Sequence, residues 1–429
     1  MRRWRPDPVY GLLLAICAAS AGALAQSVNK HMGVASCSSN VCHGKLTEQT
    51  DRNVALNEYR VWSRDDYHSR AYKDLSNQQS QAMAAKLGLP NAATAKICLD
   101  CHADNVPTTA RGPKFQLSDG VSCEACHGGA EKWVESHTQK TQAHKENVAQ
   151  GMYPTEQPLR RAELCVSCHM GTRDKLATHE IMAAGHPRLR FEMEVFTFNQ
   201  PAHVVIDEDY VRRKGRIEKM NLWITGQLEN ARRYLELLQT RITVADSFLP
   251  EFALYDCFGC HHPLDKQRWT RSRAGAGIQP GTLRLQKYHL TMLEAITEVL
   301  APDELAQLTA SADGLVRAGR KDVATLQAAA LKLHSWIDAH DDWTRRQFTP
   351  AEVAKVRKAV IRYAAEDRSS DFGAAEQVVM CMDTLSYAAN DHDRHKDALK
   401  SLYDAVARAS AFDPTQFATI ARSVQGQFQ

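Results

Sequence analysis

Gly120-Val121-Ser122-Cys123-Glu124-Ala125-Cys126-His127-Gly128-Gly129 carries the pattern that decides how this chain folds: a Cys-x-x-Cys pair with a histidine directly after it. Working outward, the pattern recurs at Cys98-Leu-Asp-Cys101-His102, Cys165-Val-Ser-Cys168-His169 and Cys257-Phe-Gly-Cys260-His261, and in a wider form at Cys37-Ser-Ser-Asn-Val-Cys42-His43. Ten of the 12 cysteines fall into these five pairs. Structural zinc, redox-active pairs or ordinary disulfides would each use paired cysteines, but none needs a histidine after every pair. Covalent haem does. One helical turn sets two thiols against the two vinyl groups and brings the next imidazole under the iron, so the spacing serves three bonds at once. In the wide pair the extra residues bulge out while the thiols still meet the vinyls; the competing reading is a disulfide beside a chance histidine. The sequence therefore predicts five haems c attached through Cys37, Cys42, Cys98, Cys101, Cys123, Cys126, Cys165, Cys168, Cys257 and Cys260, with His43, His102, His127, His169 and His261 as proximal ligands.

Of the 18 histidines, those outside the motifs are more than enough to give every iron a second imidazole. Two axial imidazoles suit electron transfer, whereas an open sixth position suits ligand binding and catalysis. His68 lies in an aromatic stretch with Tyr59, Trp62, Tyr67 and Tyr72, residues that pack well on macrocycles. His137 follows Gly128-Gly129 and Trp133, and the glycine pair is expected to let backbone approach a macrocycle before a short helix presents the imidazole. In His179-Glu180-Ile181-Met182-Ala183-Ala184-Gly185-His186-Pro187, nearly two helical turns separate His179 from His186, about 10 Å along one face, so they can serve two neighbouring haems. Pro187 disfavours helix at His186, which places the helix end near Gly185. His68, His137, His179 and His186 are thus the distal candidates; His31, His262 and His289 compete for the fifth place. His334, His340, His392 and His395 lie far from any motif and read as surface or core residues.

The N-terminus shows Arg2, Arg3 and Arg5, an apolar run from Tyr10 to Leu24, and Ala23-Leu24-Ala25 before Gln26. This reads as a cleaved signal peptide over 1–25, with Cys17 discarded and the remainder periplasmic and not membrane-spanning. The expected organisation is mainly α with little strand: a multihaem domain over 26–262 and a helical bundle over 263–429. An amphipathic helix from about Lys214 to Arg241 is expected to support haems, and bundle helices to start at Pro302-Asp303, Thr349-Pro350, Asp371 and Asp413-Pro414. Cys381 reads as a buried small apolar residue. With 53 basic and 50 acidic residues, the net charge of +3 argues against nucleic acid as a partner.

Cys37 to His43 with Tyr59, Trp62 and His68, the stretch Gly120 to Gly129 with His137, and Cys165 to His169 followed by His179 to Pro187 together resemble the cytochrome c-552/4 family, which includes the tetrahaem electron carrier of ammonia oxidation and relatives among multihaem reductases. The resemblance covers about 34–187. It implies a mostly helical periplasmic protein with closely stacked haem pairs, and distal roles for His68, His137 and His179. The wide first motif, the fifth haem and the bundle depart from that pattern. The expected function is periplasmic electron transfer between a membrane quinol-linked donor and a terminal enzyme, in either direction. The alternatives are an oxidoreductase acting on a small nitrogen or sulfur compound at one five-coordinate haem, or a subunit docking a partner enzyme. All five motifs end in His, with no Cys-x-x-Cys-Lys, which lowers the enzyme reading.

Overall fold

The computed structural model describes residues 29–47, 55–139, 143–243, 249–261, 282–366, 368 and 371–428. The expected signal peptide, Cys17 and His262 lie outside them. Among the described residues the chain is helical, with isolated β-bridges and no strand. No helix there is long and apolar enough to cross a membrane.

The first part is a string of short helices: α1 (Glu58–Asp65), α2 (Ala71–Asp74), α3 (Gln78–Lys86), α4 (Lys96–His102), α5 (Cys123–His127), α6 (His144–Ala149), α7 (Pro158–His169), α8 (His179–Ala184), α9 (Met193–Asn199) and α10 (Glu208–Lys214). Their own apolar clusters are small. One gathers Leu75, Ala84, Ala92, Leu99 and Ala103; another gathers Ala162, Val166, Phe191, Met193 and Leu222. Tertiary hydrogen bonds compensate. Glu124, inside the third motif and buried, accepts from the backbone N–H groups of Met32, Gly33 and Ala130, tying the first described residues to that motif. Gly128 and Gly129, expected to let backbone approach a macrocycle, instead lie against the chain's own backbone. A Cβ at Gly128 would meet Gly151 O at 2.7 Å and one at Gly129 would meet Asn29 O at 2.4 Å, so the pair admits the chain's own backbone.

The second part is built on α11 (Lys219–Thr240) with α12 (Tyr288–Leu300), α13 (Leu305–Ala318), α14 (Val323–Asp338), α15 (Pro350–Ala365), α16 (Phe372–Ala388), α17 (His392–Ala405) and α18 (Pro414–Gln425). The helix expected from Lys214 to Arg241 is really two elements, since α10 ends at Gly215 and α11 begins at Lys219. Nor is α11 amphipathic over its first turns: residues 220–231 are all buried. It packs on α7 and α9 on one side and on α12, α14 and α16 on the other. The apolar core of the bundle therefore starts at Met220 and crosses the boundary expected at residue 262. Gly226 lets α9 come close, because a Cβ there would meet Met193 Cβ at 2.3 Å.

The bundle starts follow the local chemistry of their sequence. Thr349 caps α15 and forms a reciprocal box with Glu352, Asp371 accepts from Ala374 N at 2.8 Å, and Asp413 caps α18 ahead of Pro414. Cys381 is fully buried in the core, where it also accepts a hydrogen bond from Trp223 Nε1.

Candidate cofactor-binding site

Each narrow motif occupies a single helical turn or the end of a helix. The second and third lie on α4 and α5, the fourth ends α7, and the fifth is a 3-10 turn over Cys257–Gly259 with His261 N bonded to Cys257 O at 2.8 Å. In the first, Ser39, Asn40 and Val41 turn outward and are exposed, while His43 N returns to Cys37 O at 3.0 Å. The wide spacing is thus absorbed as an external loop.

Four of the motif imidazoles face a second imidazole at nearly one distance. The ring centres of His43 and His137 lie 6.2 Å apart, those of His68 and His169 6.2 Å, those of His102 and His186 6.3 Å, and those of His179 and His261 6.2 Å. The angles between the rings differ widely: 9°, 90°, 90° and 35° in the same order. Direct ring contacts elsewhere scatter from 3.8 Å at Tyr387–His392 to 6.1 Å at Tyr59–Trp62. A constant gap with a free angle is the signature of an atom held between two nitrogens. Two metal–imidazole bonds of about 2 Å, with about 1 Å more from each nitrogen to its ring centre, span about 6 Å. The residues fit an iron held in the middle.

The hydrogen bonds of these rings agree with that geometry. A ligating imidazole gives its other nitrogen to a carbonyl or carboxylate, which fixes its tautomer and orientation. His43 Nδ1 bonds Glu58 at 2.9 Å, His68 Nδ1 bonds Asp66 at 2.9 Å, and His102 Nδ1 bonds Ala71 O at 3.0 Å. His137 Nδ1 bonds Trp133 O at 3.2 Å and His186 Nδ1 bonds Pro187 O at 2.7 Å. Burial lowers the pKa of His137, His169 and His186, which keeps a lone pair ready for a metal. Burial would raise the Asp66 carboxyl, but contacts from His203 and His68 hold it well below the usual carboxylate range.

His179 and His186 flank α8, which ends at Gly185 just before Pro187. The two therefore serve different partners, His261 and His102. His127 is the exception. It is pushed down to about 4 by burial, and among the described residues its ring faces no imidazole at the common gap. The ionisable groups acting on it are led by His203, His43 and Lys214, with Glu156 opposing them. Of the three rivals for the fifth distal place, His262 lies outside the described residues. His31 is bonded through Nδ1 to Asp104 at 2.7 Å, and His289 is packed against Tyr234 and Tyr288. Neither makes a ring contact with His127 among the described residues, although His31 and His127 line the same cavity. His334, His340, His392 and His395 pair with carboxylates of the bundle.

Several contributors escaped sequence reading. Glu58 and Asp66 sit within a few residues of His68 or face His43 and were not singled out. Nor were His144, bonded to Glu156 at 2.8 Å, or His203, whose Nε2 lies 3.3 Å from Asp66. A carboxylate close in sequence to a candidate ligand was the usable signal for Asp66; nothing local marked His203.

All eight cysteines of the first four motifs line one connected cavity of about 3340 Å³, together with His43, His68, His102, His127, His137, His169 and His186. A pocket for a single small molecule is roughly 300–1,000 Å³, so this space matches several macrocycles side by side. Thiols of different motifs also lie close enough to shift one another's ionisation, Cys37 with Cys123 and Cys101 with Cys168.

No curated protein and no solved structure matches the chain. Residues 36–128, which include the first three motifs, match the family model described as cytochrome c554 and c-prime. That match and the motifs it contains support a multihaem cytochrome c assignment for this part of the chain, and such a domain implies haem c as cofactor and electron transfer with redox partners.

Proposed function

We propose that the chain is an exported, periplasmic cytochrome carrying five haems c, which relays electrons between a membrane quinol-linked donor and a terminal enzyme. The observation that supports it most is the set of four imidazole pairs at 6.2–6.3 Å, each containing one motif histidine. Haem c supplies a one-electron couple, and two axial imidazoles make it low-spin with little change of geometry on reduction. The polypeptide does the rest. Glu58, Asp66 and the carbonyls of Ala71, Trp133 and Pro187 orient the rings, and the short helices keep most of each ring from solvent. The closeness of Cys37 to Cys123 and of Cys101 to Cys168 would bring haems attached there near one another, which would favour transfer between them.

Mass spectrometry of the denatured protein tests the count. Five haem additions are expected; four, with a Cys37–Cys42 disulfide, would remove the first site. Replacing His186 by Ala should turn a single haem high-spin in the electron paramagnetic resonance spectrum and leave the others unchanged.

The isolation of His127 favours a second reading. A haem held by His127 without a distal imidazole would lie within the electrostatic reach of His203, Lys214 and Glu156, the last bonded to His144, groups suited to protonating a small nitrogen or sulfur compound. A high-spin signal in the resting protein, with nitric oxide binding on reduction, supports this oxidoreductase. A spectrum in which every haem is low-spin returns the chain to the pure carrier.

A further inference from the structure

Where the haem-bearing part meets the bundle, Glu192 is buried with an exposure of 0%. It caps α9, and its Oε2 accepts from Val195 N at 2.7 Å and from the Thr384 hydroxyl at 3.3 Å. Oε1 is buried without a hydrogen-bond partner. The neutral side chains of this interface add acceptors, not donors: Asn230 Oδ1, Gln377 Oε1 and Gln227 Oε1 are buried and equally unpartnered. The amide nitrogens of Asn230 and Gln377 both donate to Phe191 O, at 3.4 and 2.8 Å. Turning either amide over would supply a donor only by removing one from Phe191 O. An ionised carboxylate buried without a charge partner costs several kcal/mol, and a proton removes that cost while adding the missing donor. Burial accordingly lifts the Glu192 carboxyl to about 8.

This carboxyl sits next to the cofactor region. Phe191, its neighbour in sequence, stacks on His169 with ring centres 5.2 Å apart and planes 28° apart. Both residues are almost wholly buried, so a change of charge on that side is weakly screened.

We propose that Glu192 is a redox-linked proton site: it takes one proton from solvent when the haem held by Cys165, Cys168 and His169 receives one electron from a neighbouring haem, and returns it when the electron leaves. The inference rests on the haem reading of the fourth motif. The other titratable groups on the elements around it are accounted for. On α9, Glu194 is also raised by burial and competes for the role. On α16, the Cys381 thiol is held neutral by burial, and Glu376 is engaged by Arg188 and Arg190. On α17, burial likewise raises Tyr403 and keeps it neutral. On α11, burial raises Glu229 as well, but it is ion-paired with Arg232 and Arg233, and the remaining neighbours, Trp223, Gln227 and Asn230, are neutral.

The test uses the purified holoprotein, Glu192→Gln and, as control, Glu194→Gln. Spectroelectrochemical titrations between about pH 6 and 10 read the pH slope of each haem's midpoint potential, and redox-difference infrared spectra read the carbonyl stretch of a protonated carboxylic acid. In the wild type, one haem potential should fall as pH rises, and a carboxylic-acid band should appear on reduction. Glu192→Gln should lose both and Glu194→Gln should keep both. An unchanged slope in Glu192→Gln, or its loss in Glu194→Gln, overturns the proposal. So does a metal ion found by elemental analysis in the wild type and absent from Glu192→Gln, because a cation would then fill the place given to the proton. The infrared measurement on the wild type needs no variant, and the absence of any such band sinks the idea even if Glu192→Gln does not fold. A missing haem at the fourth motif shows in the mass count beforehand, so failure of the haem reading is separate from failure of this one.

Discussion

The region of the motifs and the bundle solve the same problem by different means. The bundle has one continuous apolar core running from Met220 to Phe428, built around α11. The motif region has two small clusters of its own, made largely of alanine and leucine in the first and centred on Ala162 and Val166 in the second, around a cavity of about 3340 Å³. Burying apolar side chains yields about 25 cal/mol for each Å² removed from water, and the short helices α1 to α10 offer little such area to one another. Isolated helices below about 12 residues are marginal in water. The comparison teaches that the bundle's own side chains fill its core, whereas the motif region encloses a cavity that bound cofactors would fill.

The strongest way to break this contrast is to prevent attachment. In protein made without haem, hydrogen exchange should rise steeply across α4, α5 and α7 while α12, α15 and α16 stay protected; uniform loss in both parts would refute a self-sufficient bundle. Next in size is the core itself. Trp223 is fully buried on α11, and Trp223→Ala should cost about 3–5 kcal/mol in denaturant unfolding, with the haem absorption of the folded protein unchanged.

The junction between the two parts gives a smaller and pH-dependent effect. Because the folded Glu192 carboxyl is raised to about 8, the native state holds its proton more tightly than the unfolded chain does. Its contribution is present at low pH and is lost as pH rises from the usual carboxylate range through about 8, by at most about 1.4 kcal/mol per pH unit. Thermal unfolding of Glu192→Gln should therefore vary less with pH than that of the wild type across this window. The smallest expected change is at the cap of α15, where Thr349→Ala should lower stability by about 1 kcal/mol without altering any haem signal.

Much of the bundle could be read locally. Thr349, Asp371 and Asp413 mark helix starts because a side-chain oxygen satisfies backbone N–H groups only a few residues ahead. The helix read from Lys214 to Arg241 was misjudged because its period of leucines hid two facts: Gly215 ends one element, and Thr225, Gln227 and Asn230 are buried as deeply as the leucines. Buried polar residues break the pattern from which amphipathicity is inferred. Gly128 and Gly129 were legible as a place of close approach, but not which backbone approaches.

The sequence alone determined the turns that carry the Cys-x-x-Cys-His motifs and the end of α8 before His186, since such a turn and a proline act over a few bonds. Only the tertiary structure decided which imidazole faces which. His43 meets His137, His102 meets His186, His68 meets His169 and His179 meets His261 across long stretches of chain, whereas among the described residues His127 meets no imidazole at that gap. It also decided that Glu192 lies between two helices with no donor for its second oxygen. A spacing can specify covalent geometry because bonds are local; a ligand pair or a buried charge depends on which distant surfaces close over it.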